Sequence, residues 1–350
     1  MTYSPITQLE PIEIVEKLKS LFNCQQVRVL KKQHGGNSRV WCVEADNKRW
    51  ALKTYPPDST KRHRLTIESK TYHFLNQHHV PGVPVLKSYS ETEHWLLMEW
   101  IEGNLPEDYS DSDIEQAMQF IQTIAALNQT SEAGYLPLAS EACLSLTILI
   151  NQIEQRFQRL MLSADQHQGL QHFLHESFRP IFEYHQQRAV IGYRHNGMDV
   201  AAELPRYQRS LIPADFGFHN AIRDKEGKLF FIDFDYFGWD DPVKLLADIL
   251  WHPKMIFTPH QKIKIIQKIT EIYHMDNFFS RRFNYHFPLF GLRWVLILLN
   301  EFIPVYWLNR QYAGAHQDQM EAREVQLQRA KELLEKVQRE PTYDNIHTTV

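Results

Sequence analysis

Apolar residues recur at helical spacing over residues 9–22, through Ile12, Ile14, Val15, Leu18, Leu21 and Phe22, so a helix is predicted there. Three short strand-like runs follow at 27–31, 40–43 and 50–55, and Asp46-Asn47 between the last two suits a tight hairpin. A second helix is predicted over 62–77, with Leu65, Tyr72, Phe74 and Leu75 among its apolar positions. After the loop Val80-Pro81-Gly82-Val83-Pro84, the runs 85–89 and 95–101 complete five strands. Composition then turns polar over 103–113, with Pro106 inside, and the boundary between residues 1–102 and 103–350 is placed there. Beyond it the pattern is helical at 112–128, 144–160 and 166–185. A strand-poor stretch, 192–209, leads to two apolar segments flanking the turn Asp224-Lys225-Glu226-Gly227, which reads as a short hairpin. The last third is helical: 243–251, an apolar run at 285–308, and an amphipathic, charged span at 317–340 before a frayed tail from Pro341.

Composition narrows the classes. At 350 residues the chain can build two lobes, each with its own core. A net charge of −4 offers nothing to attract a phosphate backbone, so no nucleic-acid partner is expected. Lys61-Arg62-His63-Arg64 reads as the solvated start of a helix. Cys24, Cys42 and Cys143 fit neither a disulfide framework nor a metal spacing, and the N-terminus lacks a basic start followed by an apolar core. Together these point to a reducing cytoplasm. The 18 histidines show no metal-like spacing. The apolar run at 285–308 is broken by Arg293, Asn300, Glu301 and Pro304, so a buried core helix is expected rather than a membrane span.

The residues with chemistry are spaced suggestively. Pro213-Ala214-Asp215-Phe216-Gly217-Phe218-His219-Asn220 precedes the hairpin, and Phe231-Ile232-Asp233-Phe234-Asp235 closes it. Phosphoryl transfer needs one carboxylate to orient the attacking hydroxyl, and an Asn and another Asp to hold magnesium against the phosphates. Upstream, Ala51-Leu52-Lys53 puts a lysine inside an apolar strand, where its charge needs a partner or a ligand, and Glu68 lies in the helix that follows. His34-Gly35-Gly36-Asn37-Ser38 is small enough for backbone amides to approach phosphates, and is equally a plain hairpin turn.

In this order the motifs resemble the aminoglycoside phosphotransferase and choline kinase family, from about Gly35-Gly36 to about Asp248. The resemblance implies an α+β, two-lobed protein-kinase-like fold: a small N-lobe with a five-stranded antiparallel sheet and one main helix, and a larger, mostly helical C-lobe. It implies ATP and Mg2+ as cofactors and a hydroxyl-bearing small molecule as acceptor, such as a sugar, amino alcohol or aminoglycoside-like compound. By motif, Asp215 is the catalytic base or hydroxyl-orienting residue, and Asn220 and Asp233 hold magnesium. Lys53 holds the α- and β-phosphates and Glu68 holds Lys53, while Gly35, Gly36 and Ser38 form the phosphate loop. Met98-Glu99-Trp100-Ile101-Glu102-Gly103 resembles the family's hinge, with backbone groups near Glu99 and Ile101 on the adenine edge. Asp235 receives a secondary structural or metal role, and Asp248 the buttressing of the catalytic loop.

One departure stands out. The family usually has a histidine two residues before the catalytic Asp, where this chain has Pro213. A proline fixes the backbone but supplies no side-chain donor. That leaves two readings, an active small-molecule kinase or a nucleotide-binding pseudokinase of the same fold. The acidic cluster Asp235, Asp240 and Asp241 suits a cationic acceptor, magnesium coordination or loop capping.

Overall fold

The computed structural model describes residues 11–23, 26–34, 38–55, 64–164, 167–307 and 318–340. Two compact units are formed. The first contains Met1–Leu105, Ala221–Tyr236 and Leu308–Gln317, and the second contains Pro106–Asn220, Phe237–Trp307 and Asp318–Val350. The chain leaves the first unit after Leu105 and returns to it for 221–236.

The first unit opens with α1 (Pro11–Phe22), then β1 (Val27–His34), β2 (Arg39–Ala45), β3 (Lys48–Thr54), α2 (Arg64–Gln77), β4 (Leu86–Ser90) and β5 (Trp95–Glu99). Its strands form one antiparallel sheet in the order β1-β2-β3-β5-β4. The β2–β3 turn works as the sequence predicts. Asp46 and Asn47 take φ of 53° and 54°, the left-handed pair that matches the twist of the flanking strands. Alternation along the strands then sorts side chains between faces. Trp41, Val43, Leu52, Trp95 and Leu97 pack with Leu18 of α1 in one core, each contributing about 1.5–3 kcal/mol on burial. The intervening position, Lys53, is directed to α2 instead.

The second unit contains α3 (Asp111–Ala126), α4 (Leu146–Ala164), α5 (Gln168–His172), α6 (Arg179–His195), and β6 (Ser210–Ile212). The chain next forms β7 (Ala221–Arg223) and β8 (Leu229–Phe231), which belong to the first unit. It then re-enters the second for β9 (Gly238–Asp240), α7 (Pro242–Trp251), α8 (Pro259–Ile272), α9 (Phe279–Leu298) and α10 (Gln319–Arg339). Capping boxes at Ser110/Asp113 and Thr258/Gln261 start α3 and α8. The helix predicted to end at 185 runs on to His195 after a π-helical turn, Phe173–Phe178, because Phe182, Ala189 and Tyr193 keep one face buried.

The first part of the apolar run, 285–298, lies in α9, the element against which α4, α6, α7 and α10 pack. This helix buries Arg282, His286 and Arg293, and among the described residues no helix is long and apolar enough to cross a membrane. Pro288 sits inside α9 and cannot donate to the Asn284 carbonyl one turn earlier. Arg188 Nη1 donates to that oxygen instead, at 3.4 Å.

The β7–β8 hairpin is attached to the first unit by backbone. Phe231 N–H donates to the Gly82 carbonyl at 2.7 Å, and Asn104 and Arg223 exchange bonds of 3.1 and 2.8 Å. Gly103 allows this approach, since a Cβ there would lie 2.2 Å from the Arg223 carbonyl oxygen.

Candidate active site

In the first unit, Lys53, Glu68 and Asp233 come together. Lys53 Nζ donates to Glu68 Oε2 at 2.7 Å and to Asp233 Oδ1 at 2.6 Å. The lysine side chain is 4% exposed and Glu68 is fully buried, whereas Asp233 retains 38% exposure. Tyr55, on the same face of the chain after β3, donates its hydroxyl to Glu68 Oε2. Burial works against the Lys53 ammonium, yet Asp233 and Glu68 outweigh it and hold its pKa well above the usual lysine value.

Asp235 is buried beside this cluster, with Arg64 Nε 3.8 Å from its carboxylate. Burial first, and then the Asp233 charge, raise its pKa well above the usual range. Phe234 between the two aspartates packs edge-on against Tyr72 of α2, centroids 5.2 Å apart. Asp233 itself has φ of 68°, a left-handed conformation that costs a non-glycine residue about 1–3 kcal/mol.

The second unit carries Asp215 and Asn220 in the loop after β6. Two aromatic anchors shape it. Phe216 stacks on Phe120 of α3 at 5.7 Å, and Phe218 stacks on Tyr109 at 4.3 Å. Asp215, immediately before Phe216, has φ of 64°. The Asn220 side-chain amide donates to the Asp215 backbone carbonyl at 3.0 Å, which leaves its amide oxygen for a ligand. Asp215 is 35% exposed, and His219 Nε2 lies 3.3 Å from its Oδ1, with His252 Nε2 at 3.5 Å. Burial pushes the Asp215 carboxyl up, but bonds from the two histidines outweigh it and hold it well below the usual carboxylate range.

The remaining expected residues are placed as follows. Ser38 is buried, while Gly35 and Gly36 lie outside the described residues. Glu99 ends β5, with its N–H on the Val85 carbonyl at 2.8 Å, and Ile101 follows as a buried residue. Asp240 and Asp241 resolve the acidic cluster in favour of capping. Asp240 accepts from the N–H groups of Cys143 and Asp241, and Asp241 caps α7 while binding Arg282 at 2.9 and 3.0 Å. Asp248 does not bond the catalytic loop directly. It binds Arg293 at 3.1 and 3.2 Å, and accepts from Trp294 Nε1 at 2.8 Å.

Sequence reasoning missed His219 and His252. The first is visible as the residue before Asn220; the second, capping the C-terminus of α7, has no local signal.

A model of the phosphotransferase enzyme family matches residues 30–268. No curated protein matches the chain in sequence. Among solved structures, APH(2")-IIa in complex with gentamicin is 16% identical with a TM-score of 0.56, covering 94% of this chain and 97% of that one. Spectinomycin phosphotransferase APH(9)-Ia, in complex with ADP and spectinomycin, is 11% identical with a TM-score of 0.60, covering 94% and 97%. Choline kinase LicA from Streptococcus pneumoniae is 15% identical with a TM-score of 0.52, covering 93% and 99%. The fold is therefore the two-lobed, kinase-like one that the resemblance implied, and the chain belongs to the phosphotransferase enzyme family.

Proposed function

We propose that this protein transfers the γ-phosphate of ATP, with magnesium, to a hydroxyl group of a small molecule. The observation that carries this reading is Lys53, fixed by Glu68 at 2.7 Å and Asp233 at 2.6 Å on the α2 side of an antiparallel sheet. A buried ammonium so held is an oriented cation for polyphosphate.

The other residues take the roles that the family resemblance gives them. Gly35, Gly36 and Ser38 cover the phosphates, and backbone groups near Glu99 and Ile101 meet the adenine edge. Asn220 and Asp233 fit magnesium, since each offers a hard oxygen donor: the Asn220 amide oxygen is freed by the nitrogen's bond to Asp215, and Asp233 keeps an exposed carboxylate. When bound, magnesium would neutralise charge on the phosphates. Asp215, with an anionic carboxylate at neutral pH, orients the acceptor hydroxyl and receives its proton. Residues 1–102 would serve as the nucleotide-binding lobe and 103–350 as the lobe bearing catalytic loop and acceptor pocket, in a cytoplasmic enzyme.

Two of the similar structures hold a small molecule, gentamicin or spectinomycin, and one of these also holds ADP, which supports a small-molecule acceptor. The test is a screen of sugars, amino alcohols and aminoglycosides for acceptor-dependent ADP release. An acceptor that stimulates the wild type and leaves Asp215→Asn unstimulated supports the reading. ADP release that Asp215→Asn does not diminish contradicts the role of Asp215.

A further inference from the structure

We infer that His219 and His252 together position the Asp215 carboxylate, taking over a support that Pro213 cannot give. This rests on the kinase reading of Asp215. Pro213 has no polar side chain and no N–H, so that position offers no hydrogen-bond donor to the loop. Two imidazoles converge on Asp215 instead. Their Nε2 atoms lie 3.3 and 3.5 Å from Oδ1, and the rings stack with centroids 3.8 Å apart and planes 10° from parallel.

The location of the protons follows from the other ring nitrogen. His252 Nδ1 accepts the Lys254 N–H at 3.3 Å, so the neutral ring carries its proton on Nε2, the atom beside Asp215. His219 Nδ1 is buried without a hydrogen-bond partner, and its Nε2 also meets Asp215. His219 Nε2–H then donates to Oδ1, with His252 Nε2–H 3.5 Å from the same oxygen, which leaves Oδ2 as the atom for an acceptor hydroxyl.

The support continues outward. His252 packs edge-on to Trp294 at 4.8 Å, and Trp294 Nε1 bonds Asp248 at 2.8 Å. Asp248 is held in turn by Arg293 and by Lys244, 3.3 Å away. The buttressing expected of Asp248 thus reaches Asp215 through Trp294 and His252. Gly217 keeps the space for His219: a Cβ there would lie 2.8 Å from His219 Nδ1 and 2.2 Å from Met255 Sδ.

The same three side chains have ligand atoms within 4.8 Å of one another, the spacing of a metal site. The stack argues against it. A metal ion sits in the plane of each imidazole that binds it, at about 2.0–2.1 Å. Two nearly parallel rings 3.8 Å apart have no shared point that close to both planes. Hydrogen bonds, longer and more tolerant of angle, are compatible with the stack.

The test has two parts, both on the full chain. Imidazole nitrogen–proton NMR spectra of the wild type and Asp215→Ala report where the protons lie. We expect His252 as the Nε2–H tautomer, with its Nε2–H resonance shifted when the Asp215 acceptor is removed. An Nδ1–H tautomer, or a resonance indifferent to Asp215→Ala, overturns the inference. In the second part, ATP affinity and magnesium-dependent ADP release are compared for wild type, His252→Ala and His252→Gln, whose side-chain amide can replace the Nε2–H donor. Positioning predicts kcat lower by about tenfold or more for Ala, unchanged KM for ATP, and recovery of most of the loss by Gln. A rise in KM alone, or a Gln variant as impaired as Ala, overturns it. A wild type that binds no ATP overturns the kinase reading and this role with it, whereas an ATP-binding enzyme with the wrong tautomer overturns this role alone.

Discussion

Lys53 of β3 and Glu68 of α2 form an ion pair with both side chains inside the protein, Nζ to Oε2 at 2.7 Å. Placing two charges out of water is unfavourable unless each is well partnered. Here the ammonium has a second carboxylate, Asp233, and Glu68 has a second donor, Tyr55.

Lys53→Met should therefore strand the Glu68 carboxylate. The expected loss is about 3–5 kcal/mol at pH 8, read from urea unfolding. Burial already raises the Glu68 pKa, and the variant removes the lysine that opposes it. Its folded pKa then lies far above its unfolded one, so the native state binds the extra proton. The deficit should shrink as pH falls from 8 toward 5. A deficit that grows on acidification would contradict the buried pair.

His286 should make stability fall in mild acid. Its Nε2 meets the Tyr193 hydroxyl at 2.6 Å, and burial lowers its pKa to about 4. In the unfolded chain a histidine protonates near 6.5. Between these values the unfolded state binds the extra proton, so stability present above pH 6.5 is lost as pH falls toward 4. His286→Gln should flatten that slope by up to about 1.4 kcal/mol per pH unit, measured by denaturation at a series of pH values. An unchanged slope would assign the acid sensitivity elsewhere.

Gly103→Ala should loosen the β7–β8 hairpin. The added Cβ would meet the Arg223 carbonyl oxygen at 2.2 Å, and backbone on both sides has little freedom to yield. A loss of about 1–3 kcal/mol is expected, with faster hydrogen exchange at Asn104 and Arg223, whose amides bond one another's carbonyls. Wild-type exchange at both amides would contradict the packing.

Cys143 should resist alkylation while the protein is folded. Its thiol is buried and pushed up to about 12, so almost no thiolate exists at neutral pH. Mass spectrometry should find it labelled by iodoacetamide only at denaturant concentrations that unfold the chain. Labelling in native buffer would contradict this environment.

The legible parts of this chain were those that local pattern controls. Alternation in β3 separates Leu52 from Lys53, which places the lysine opposite the hydrophobic core and makes a partner in α2 a physical requirement. Asp46-Asn47 announces its turn because few residues tolerate the left-handed pair. The aspartates and Asn220 stand close to their aromatic anchors in sequence, so motif and loop are read together. His252 was hidden because its role depends on where the end of α7 lies, 37 positions beyond Asp215 in sequence. The route by which Asp248 connects to the loop is hidden for a related reason: its partner Trp294 comes from α9, and only tertiary packing brings them within 2.8 Å. The extension of α6 past residue 185 was missed because its apolar positions are sparse.

The central claim, nucleotide binding organised by Lys53 and a metal-holding Asp233, is tested most directly by calorimetric titration of ATP with and without magnesium, on wild type and on Asp233→Asn. The account predicts that magnesium tightens ATP binding to the wild type and has little effect on Asp233→Asn. Wild-type binding that ignores magnesium, or no binding at all, would contradict it.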